Sequence, residues 1–272
     1  MRELVAAVRP DLLAQVTALV GEDPFAKVDE STRFAQPAIF CASLAGWERV
    51  RGYVDPVAFA GHSLGELTAL VAAGALDERD GLRLVVLRGQ LMATSGEQAG
   101  GGTMLVLLGA TPAQAASIAS RHDVCVANDN APGQVVLSGS PAALAVAAAD
   151  AGLEGLRTIK LGVAGAFHSP QMQDAVIPFR DALAETEFRK PTVPVISCAT
   201  AAAFVDPREE LAAALVRPVR WRETMSALAA DGVQAFVDAG PGRVLAKLAP
   251  RCVPGAGAAS LDMLIGDERV AA

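Results

Sequence analysis

The chain has 272 residues, 52% of them hydrophobic and 19% charged, and a formal net charge of −7. That much apolar material supports a sizeable core and excludes a globally disordered protein. The acidic balance argues against a nucleic-acid-binding protein, because that class presents a basic face. No apolar run approaches the roughly 18 residues of a membrane span. Charges also interrupt the N-terminal stretch, so we expect neither a membrane protein nor a secretory signal.

Four cysteines are scattered along the chain without a CxxC pair: Cys41, Cys125, Cys198 and Cys252. Such spacing predicts neither a disulfide framework nor a zinc site, and we expect no bound metal. Each cysteine reads as a small, buried apolar residue. A reducing, cytoplasmic location fits this usage best.

The first third of the chain predicts helices around one short buried strand. Apolar residues recur at helical spacing over 2–20, and a second helix is predicted over 35–50. Residues 57–60 read as a fully buried strand. Two strongly apolar helices follow, over 65–75 and 78–94.

Residues 96–103, GEQAGGGT, form a glycine-rich joint after which the pattern changes. The next ~60 residues predict the order β-α-β-β-α-β, which is the ferredoxin-like pattern. The strands are predicted at 104–109, 124–128, 134–139 and 156–163, and the helices at 111–122 and 140–152. We therefore predict a ferredoxin-like small domain, residues 103–163, inserted into a large domain formed by residues 1–102 and 164–272.

The remaining segment alternates helices with strands, which predicts a parallel sheet covered on both faces. Helices are predicted over 170–186, 218–231 and 242–252, and strands over 193–199, 235–240 and 258–263. The predicted fold class is α/β. It combines an α/β-hydrolase-like large domain, with a parallel sheet covered by helices, and the inserted ferredoxin-like small domain.

The predicted strand 57–60 runs straight into Gly61-His62-Ser63-Leu64-Gly65 and the following helix. A strand, a GxSxG turn and a helix make a nucleophile elbow, in which glycines permit a tight turn before the helix N-terminus. The helix dipole and free N–H groups there stabilise an oxyanion. We predict that Ser63 is a nucleophile; the alternative is a structural turn that merely contains a serine.

A nucleophilic serine needs a base, and the chain has 3 histidines. His62 sits on the turn itself and cannot easily fold back onto the Ser63 hydroxyl. His122 ends a predicted small-domain helix, where a surface histidine is expected. His168 remains as the candidate base. No acidic residue between Ser63 and His168 has an evident orienting context, unlike in α/β-hydrolases, so a backbone carbonyl is the expected partner of the imidazole.

Arg88 lies in the apolar helical stretch LRLVVLRGQLM. A buried guanidinium costs several kcal/mol unless it is paired. The pattern therefore predicts one of two arrangements. Either the side chain reaches the surface, or it is a buried cation whose planar fork binds a carboxylate.

Six motifs occur in order along the chain: GHSLGE (61–66), LRGQLM (87–92), NDNAPGQVVLSG (128–139), AGAFH (164–168), PVRW (218–221) and DAGPGRVL (238–245). From about residue 30 to about residue 250, the sequence resembles malonyl-CoA:acyl carrier protein transacylases. This is the acyltransferase family of fatty-acid and polyketide synthesis.

The resemblance implies a transfer in two steps. Ser63 would attack the thioester of malonyl-CoA and hold malonyl as an ester, while His168 would shuttle the proton. The phosphopantetheine thiol of an acyl carrier protein would then remove the acyl group. Malonyl-CoA is thus a substrate and phosphopantetheine belongs to the partner, so no cofactor of the protein itself is implied.

Three further residues take roles by resemblance. Arg88 would clamp the free carboxylate of malonate, and the Leu64 N–H would donate to the oxyanion. Phe167 would leave little room for an α-methyl group and so favour malonyl over methylmalonyl. The densest basic residues, candidates for docking an acidic carrier protein, are Arg189, Lys190, Arg217, Arg220 and Arg222. We expect a monomer.

The sequence departs from the family at three places. The family opens with a strand and a Gly-Gln-Gly-x-Gln turn, whose last backbone N–H is half of the oxyanion hole, and Met1 aligns just after that turn. One donor is then expected, and losing one typically costs about 10²–10³ in rate. Ala214 stands where glutamine is common, although its backbone carbonyl can still accept from the histidine. Cys198 replaces a common asparagine, with no consequence that the sequence indicates.

Two alternatives remain open at this point. A serine hydrolase (thioesterase or esterase) with a related elbow would need no Arg88 and would typically carry an acid to orient His168. The missing opening turn suggests the other alternative, an N-terminally truncated, inactive transacylase.

Overall fold

The computed structural model describes residues 1–268. The chain begins with three helices: α1 (Arg2–Val8), α2 (Pro10–Val20) and α3 (Thr32–Val50). The prediction of a single helix over 2–20 is wrong, because the helix is interrupted between α1 and α2. Pro10 has no N–H, and its ring keeps Arg9 out of the helical region, at φ −138° and ψ 65°.

A short strand, β1 (Phe59–Ala60), leads into α4 (Gly65–Ala72) and the long α5 (Glu78–Gln98). Helices α3 and α5 pack against each other and share one hydrophobic cluster with α2 and α4. The cluster includes the fully buried side chains of Phe40 and Leu82. It therefore anchors the helix that follows the GxSxG turn.

Six elements follow in the predicted β-α-β-β-α-β order: β2 (Thr103–Leu108), α6 (Pro112–Arg121), β3 (Cys125–Ala131), β4 (Gln134–Gly139), α7 (Pro141–Leu153) and β5 (Arg157–Lys160). The strands form one antiparallel sheet of order β3-β4-β2-β5, with its own hydrophobic cluster. Thr111 and Gln114 make a capping box at the start of α6. The order of the elements is confirmed, while the domain limits at 103 and 163 stay a prediction.

The chain then adds α8 (Gln173–Ala184), β6 (Val195–Ile196), α9 (Pro207–Ala213), α10 (Trp221–Ala230), β7 (Ala235–Asp238), α11 (Val244–Cys252), β8 (Gly257–Ser260) and α12 (Leu261–Glu268). Short 3₁₀ turns occur at Pro24–Lys27, Pro170–Met172 and Ala214–Val216. The sequence did not predict α9 or α12.

The parallel strands form two pairs rather than one continuous sheet. β6 pairs in parallel with β1, and β8 pairs in parallel with β7. Strands β1 and β6 are only two residues long. Pro194, which has no N–H, precedes β6, and the tight turn at Gly61 ends β1. Short parallel strands next to helices agree with the predicted α/β class.

Strand β3 connects the antiparallel sheet to the rest of the molecule. The Asp129 N–H donates to the Val219 carbonyl at 2.8 Å, and the Val219 N–H donates to the Ala127 carbonyl at 2.8 Å. The Arg222 guanidinium also pairs with the Asp129 carboxylate, with N and O 2.6 Å apart. These bonds fix the intervening residue, Asn128, against the segment that precedes α10.

All four cysteines are free thiols; Cys41 and Cys198 are buried and the other two are half-buried. Among the helices of residues 1–268, none combines the length and the apolar character needed to cross a bilayer.

The antiparallel sheet allows a test of its buried face. Leu107 on β2 is fully buried, whereas Ile159 on β5 is 52% exposed. We expect Leu107→Ala to lower the free energy of unfolding by about 3 kcal/mol, because it leaves a cavity, and Ile159→Ala by less than about 1 kcal/mol. Urea unfolding of both variants measures this difference, and equal losses would contradict the difference in burial between the two positions.

Candidate active site

The turn after β1 has the geometry of a nucleophile elbow. Ser63 has a φ of 54°, a conformation that a residue other than glycine adopts only at a cost. A Cβ on Gly61 would lie 1.9 Å from the Gly65 carbonyl carbon, so only glycine fits there. Within residues 1–268, no protein group accepts a hydrogen bond from the Leu64 N–H. That N–H is thus available to a ligand at the start of α4.

Ser63 and His168 form a hydrogen-bonded pair. The Ser63 hydroxyl and His168 Nε2 lie 2.8 Å apart. His168 Nδ1 lies 2.9 Å from the Ala214 carbonyl oxygen and 3.1 Å from that of Arg217. Carbonyl oxygens only accept, so Nδ1 carries the proton and Nε2 accepts from the serine. The expectation of an orienting carbonyl, at Ala214, is confirmed.

Burial keeps the imidazole of this pair neutral. His168 is 5% exposed. Burial, and after it the positive charge of Arg88, lower the pKa of His168 to about 3, although the hydrogen bonds to the two carbonyls act in the opposite direction. The ring is therefore unprotonated at neutral pH and ready to take the proton of Ser63.

Arg88 is buried beside the serine and does not reach the surface. It is 4% exposed, so the surface alternative is wrong. Its Nη2 donates to Ser63 Oγ at 3.0 Å, and its Nη1 donates to Gln36 Oε1 at 2.7 Å. In the described part of the chain, no acidic side chain forms an ion pair with it. Burial lowers the pKa of Arg88 to about 10, which leaves the guanidinium charged at neutral pH.

Gln36 orients the guanidinium, and the sequence pattern did not reveal this role. Its Nε2 donates to Thr32 Oγ1 at 2.8 Å, one turn earlier on α3, and lies 3.3 Å from Met92 Sδ. These contacts turn the side-chain oxygen of Gln36 toward Arg88. The available signal was a polar residue in an apolar helical stretch, which by itself does not reveal its partner.

Glu66 connects the elbow helix to the segment after β6. Its carboxylate is 1% exposed and accepts hydrogen bonds from the Ser197 hydroxyl at 2.9 Å and the Cys198 N–H at 2.8 Å. The Ser63 N–H in turn donates to Cys198 Sγ at 3.4 Å. Cys198, for which the sequence indicated no role, thus supports the backbone of Ser63. Burial raises the pKa of Glu66 to about 7, against the effect of its hydrogen bonds.

Two adjoining cavities open at this site. The smaller, about 180 Å³, is lined by Thr32, Gln36, His62, Ser63, Leu64, Arg88, Met92, Met104, Asn128, Phe167 and His168. The larger, about 460 Å³, is lined in part by residues 160–164 and shares Thr32 and Phe167 with the smaller one. The Phe167 ring covers Gly165, where a Cβ would lie 2.4 Å from it. Phe167 thus stands where the two cavities meet.

The other two histidines have different partners. His62 Nε2 lies 2.8 Å from Asn130 Oδ1. His122 is partly exposed and pairs with Asp150, with N and O 2.7 Å apart. Over residues 1–268, the His, Cys, Asp and Glu side chains form no group of three or more that could hold a metal ion.

The buried carboxylate of Glu66 predicts a pH-dependent stability. The pKa of this carboxyl is about 7 in the folded protein, whereas its ordinary value is 4.5. Between these values the folded state binds more protons than the unfolded state, so this group makes the protein less stable as the pH rises. Glu66→Gln keeps an acceptor oxygen but does not titrate.

As the pH rises from about 5.5 to about 7.5, the unfolding free energy of Glu66→Gln should therefore increase by about 2 kcal/mol relative to that of the wild type. Urea unfolding of both proteins at several pH values measures this gain, and all other titrating groups cancel in the difference. A gap that stays constant with pH would contradict the raised pKa.

Comparisons with known proteins agree with this geometry. Residues 2–266 match the family model of the acyl transferase domain. The malonyl CoA-acyl carrier protein transacylase of Bacillus subtilis (strain 168) is 37% identical over 224 residues, which cover 79% of this chain and 70% of that protein.

Solved structures show the same likeness. The crystal structure of the malonyl-CoA:acyl carrier protein transacylase from Xanthomonas oryzae superposes with a TM-score of 0.90 at 32% identity, covering 99% of this chain and 93% of that one. A malonyl-transacylase in complex with a type II PKS acyl-carrier protein gives 0.86 at 31% identity, covering 96% and 90%. The chain therefore belongs to the acyl transferase domain family, together with the malonyl-CoA:acyl carrier protein transacylases.

Proposed function

We propose that this protein transfers a malonyl group from malonyl-CoA to the phosphopantetheine thiol of an acyl carrier protein, through an ester on Ser63. The observation that carries the proposal is the buried guanidinium of Arg88, which donates to the nucleophile itself. A short acyl group attached to Ser63 would bring its free carboxylate to this cation. The names of the Bacillus subtilis relative and of the carrier-protein complex support the same reaction.

The chemistry follows from the Ser63–His168 pair. Ser63 Oγ attacks the thioester carbon while its proton passes to His168 Nε2. The oxyanion of the tetrahedral intermediate lies at the start of α4, where the Leu64 N–H is a donor. Collapse breaks the C–S bond, and the CoA thiolate takes the proton from the imidazolium.

The second step runs the same chemistry with the other thiol. The carrier-protein thiol gives its proton to His168 Nε2 and attacks the ester carbon. Collapse of this second intermediate breaks the bond to Ser63 Oγ, which takes the proton back from the imidazolium. Every bond that is made or broken belongs to the two thioesters, to Ser63 or to His168, so the proposal includes no bound cofactor.

The contacts of the site favour transfer over the serine-hydrolase alternative. His168 Nδ1 is held by the Ala214 and Arg217 carbonyls, and no acidic side chain within residues 1–268 bonds to it. A buried guanidinium at the nucleophile contributes little to the hydrolysis of neutral esters, whereas it binds a carboxylate with two hydrogen bonds. A clamped carboxylate also fixes the acyl ester while the thiol enters.

The cavities give the substrates their places in this proposal. The 180 Å³ cavity at Ser63 takes the malonyl group and the end of the arm next to the thioester, and the adjoining 460 Å³ cavity takes the rest of the thiol-bearing arm. In this arrangement the Phe167 ring at the junction would lie beside the α-carbon of the acyl group and would leave little room for a methyl substituent there. This position supports a preference for malonyl over methylmalonyl.

The basic surface expected to dock the carrier protein has less unpaired positive charge than the sequence suggests. Three of the five basic residues expected to dock the carrier are paired with acidic neighbours: Arg189 with Glu187, Arg220 with Glu223 and Arg222 with Asp129. The other two, Lys190 and Arg217, are both exposed, and Arg217 lies beside the site because its carbonyl holds His168. We therefore propose Arg217 as the basic residue that meets the acidic carrier protein beside the site.

Location, assembly and domain division complete the proposal. We propose a cytoplasmic location, because the free thiols suit a reducing compartment. We also propose that the protein acts as a monomer. We divide it into a large domain of residues 1–102 and 164–272 and a small domain of residues 103–163. The separate hydrophobic cluster of the antiparallel sheet supports this division.

Acylation by malonyl-CoA tests the nucleophile. We expect wild-type protein to gain the mass of one malonyl group and Ser63→Ala to gain none, because no other hydroxyl within residues 1–268 lies against both His168 and Arg88. Intact-mass spectrometry with peptide mapping measures this, and Ser226→Ala, at an exposed position of α10, is the control. An adduct that persists in Ser63→Ala, or none on folded wild-type protein, would refute the proposal.

Selectivity for a carboxylated acyl group tests Arg88. We expect Arg88→Ala to slow acylation by malonyl-CoA by about 10–100-fold, because a hydrogen bond to a charged group is worth ~1.5–3 kcal/mol. Acylation by acetyl-CoA, which has no carboxylate, should slow less, so the ratio of the malonyl rate to the acetyl rate should fall. The ratio of the two rates is the measurement.

Arg83→Ala is the matched control for this ratio, because Arg83 lies on the same helix with its side chain 55% exposed. It should leave the malonyl-to-acetyl ratio unchanged. An Arg88→Ala protein with the wild-type ratio would show that Arg88 does not bind the acyl carboxylate.

A further inference from the structure

Asn128 presents an unpaired amide oxygen at the active site. It is 8% exposed and lines the same small cavity as Ser63 and Arg88. Its Oδ1 is buried and has no hydrogen-bond partner within residues 1–268. By contrast, Asn130, two residues further along β3, has its Oδ1 bonded to His62.

The backbone around Asn128 does not allow the residue to turn away easily. The flanking Ala127 carbonyl and Asp129 N–H are both bonded to Val219, and Asn128 itself bridges to Val219 in parallel. A buried polar atom left without a partner costs free energy, typically about 1–3 kcal/mol. A ligand that brings a donor to this oxygen would remove that cost.

The chemistry of the proposed substrates identifies the donor. Malonyl itself offers only acceptors, namely a carboxylate and a thioester carbonyl, and these match Arg88 and the Leu64 N–H. The first N–H along the substrate belongs to the cysteamine amide, which an ethylene link separates from the thioester sulfur. CoA and the carrier-protein arm share this amide.

We propose that Asn128 Oδ1 accepts a hydrogen bond from the cysteamine amide N–H of both thioester substrates, and so selects thiols of the pantetheine type. This inference rests on the proposed function. It assigns to Asn128 a contact with the arm that carries the leaving or the attacking thiol, rather than with the acyl group. Loss of the side chain would therefore weaken both half-reactions, whereas hydrolysis of the acyl-serine by water, which carries no arm, would be unaffected.

The test pairs a change in the protein with a change in the substrate. The two probes are the malonyl thioester of N-acetylcysteamine and its ketone analogue, in which a methylene replaces the amide N–H. We expect the wild type to be acylated about tenfold faster, in kcat/KM, by the amide than by the ketone, and Asn128→Ala to show no preference. Because each ratio is taken within one protein, a reduced folded fraction cancels.

Two further variants make the result specific. Asn128→Asp is isosteric and keeps an acceptor oxygen, so it should retain the preference. Asn130→Ala removes an amide that is bonded to His62, and it should change both rates by the same factor. Acylation is followed by intact-mass spectrometry.

A wild type that does not distinguish the two probes, or an Asn128→Ala protein that still prefers the amide, would overturn this inference and leave malonyl transfer intact. Wild-type protein that forms no adduct with malonyl-CoA would overturn the proposed function, and this inference with it. Equal acylation of Asn128→Ala by both probes, beside a tenfold preference in the wild type, is the supporting result.

Discussion

One buried cation, Arg88, sets requirements that the rest of the site meets. A guanidinium away from water is tolerated only when other groups replace its hydration. Gln36, itself held by Thr32, accepts from one nitrogen, and the Ser63 oxygen accepts from the other. Both acceptors are neutral, so the site keeps the positive charge that the proposed reaction requires for an anionic acyl group. The same charge helps to keep His168 unprotonated, so in the proposed reaction it would serve both substrate selection and the state of the base.

The proposed reacting pair, Ser63 and His168, is held in strained backbone conformations by groups outside the turn. Ser63 and His168 have φ values of 54° and 58°, and such residues persist only where their surroundings fix them. Ser63 is supported through Cys198, which Glu66 anchors to the elbow helix. His168 is supported by the carbonyls at the 3₁₀ turn after α9. Each reacting side chain therefore has its own support from a distant part of the chain.

The sequence predicted best those features that depend on neighbouring residues. The elbow around Gly61 and Ser63 and the β-α-β-β-α-β order of the elements between residues 103 and 160 both follow from local patterns. Pro10 was a local signal as well, and the continuous apolar periodicity on both sides of it concealed the break.

Features that depend on partners far along the chain escaped prediction. Gln36 contacts Arg88 across 52 residues, and Glu66 contacts Cys198 across 132. A polar residue in a helix is equally compatible with a solvent-facing position until the packing of α3, α4 and α5 is known. The sequence could therefore name Ser63, His168 and Arg88, but not the side chains that orient them.

The neutral partners of His168 and the charge of Arg88 follow from one electrostatic requirement, namely that no fixed anion lies beside the guanidinium. A carboxylate beside the imidazole would raise its pKa and would also offer the nearby guanidinium a permanent counter-ion. The substrate carboxylate would then have to compete with a fixed anion for Arg88. The Ala214 and Arg217 carbonyls orient the ring without adding negative charge. A pocket that binds an anionic acyl group through a buried cation is therefore best served by a serine–histidine pair oriented by the backbone, and the side chain at position 214 is free to be alanine.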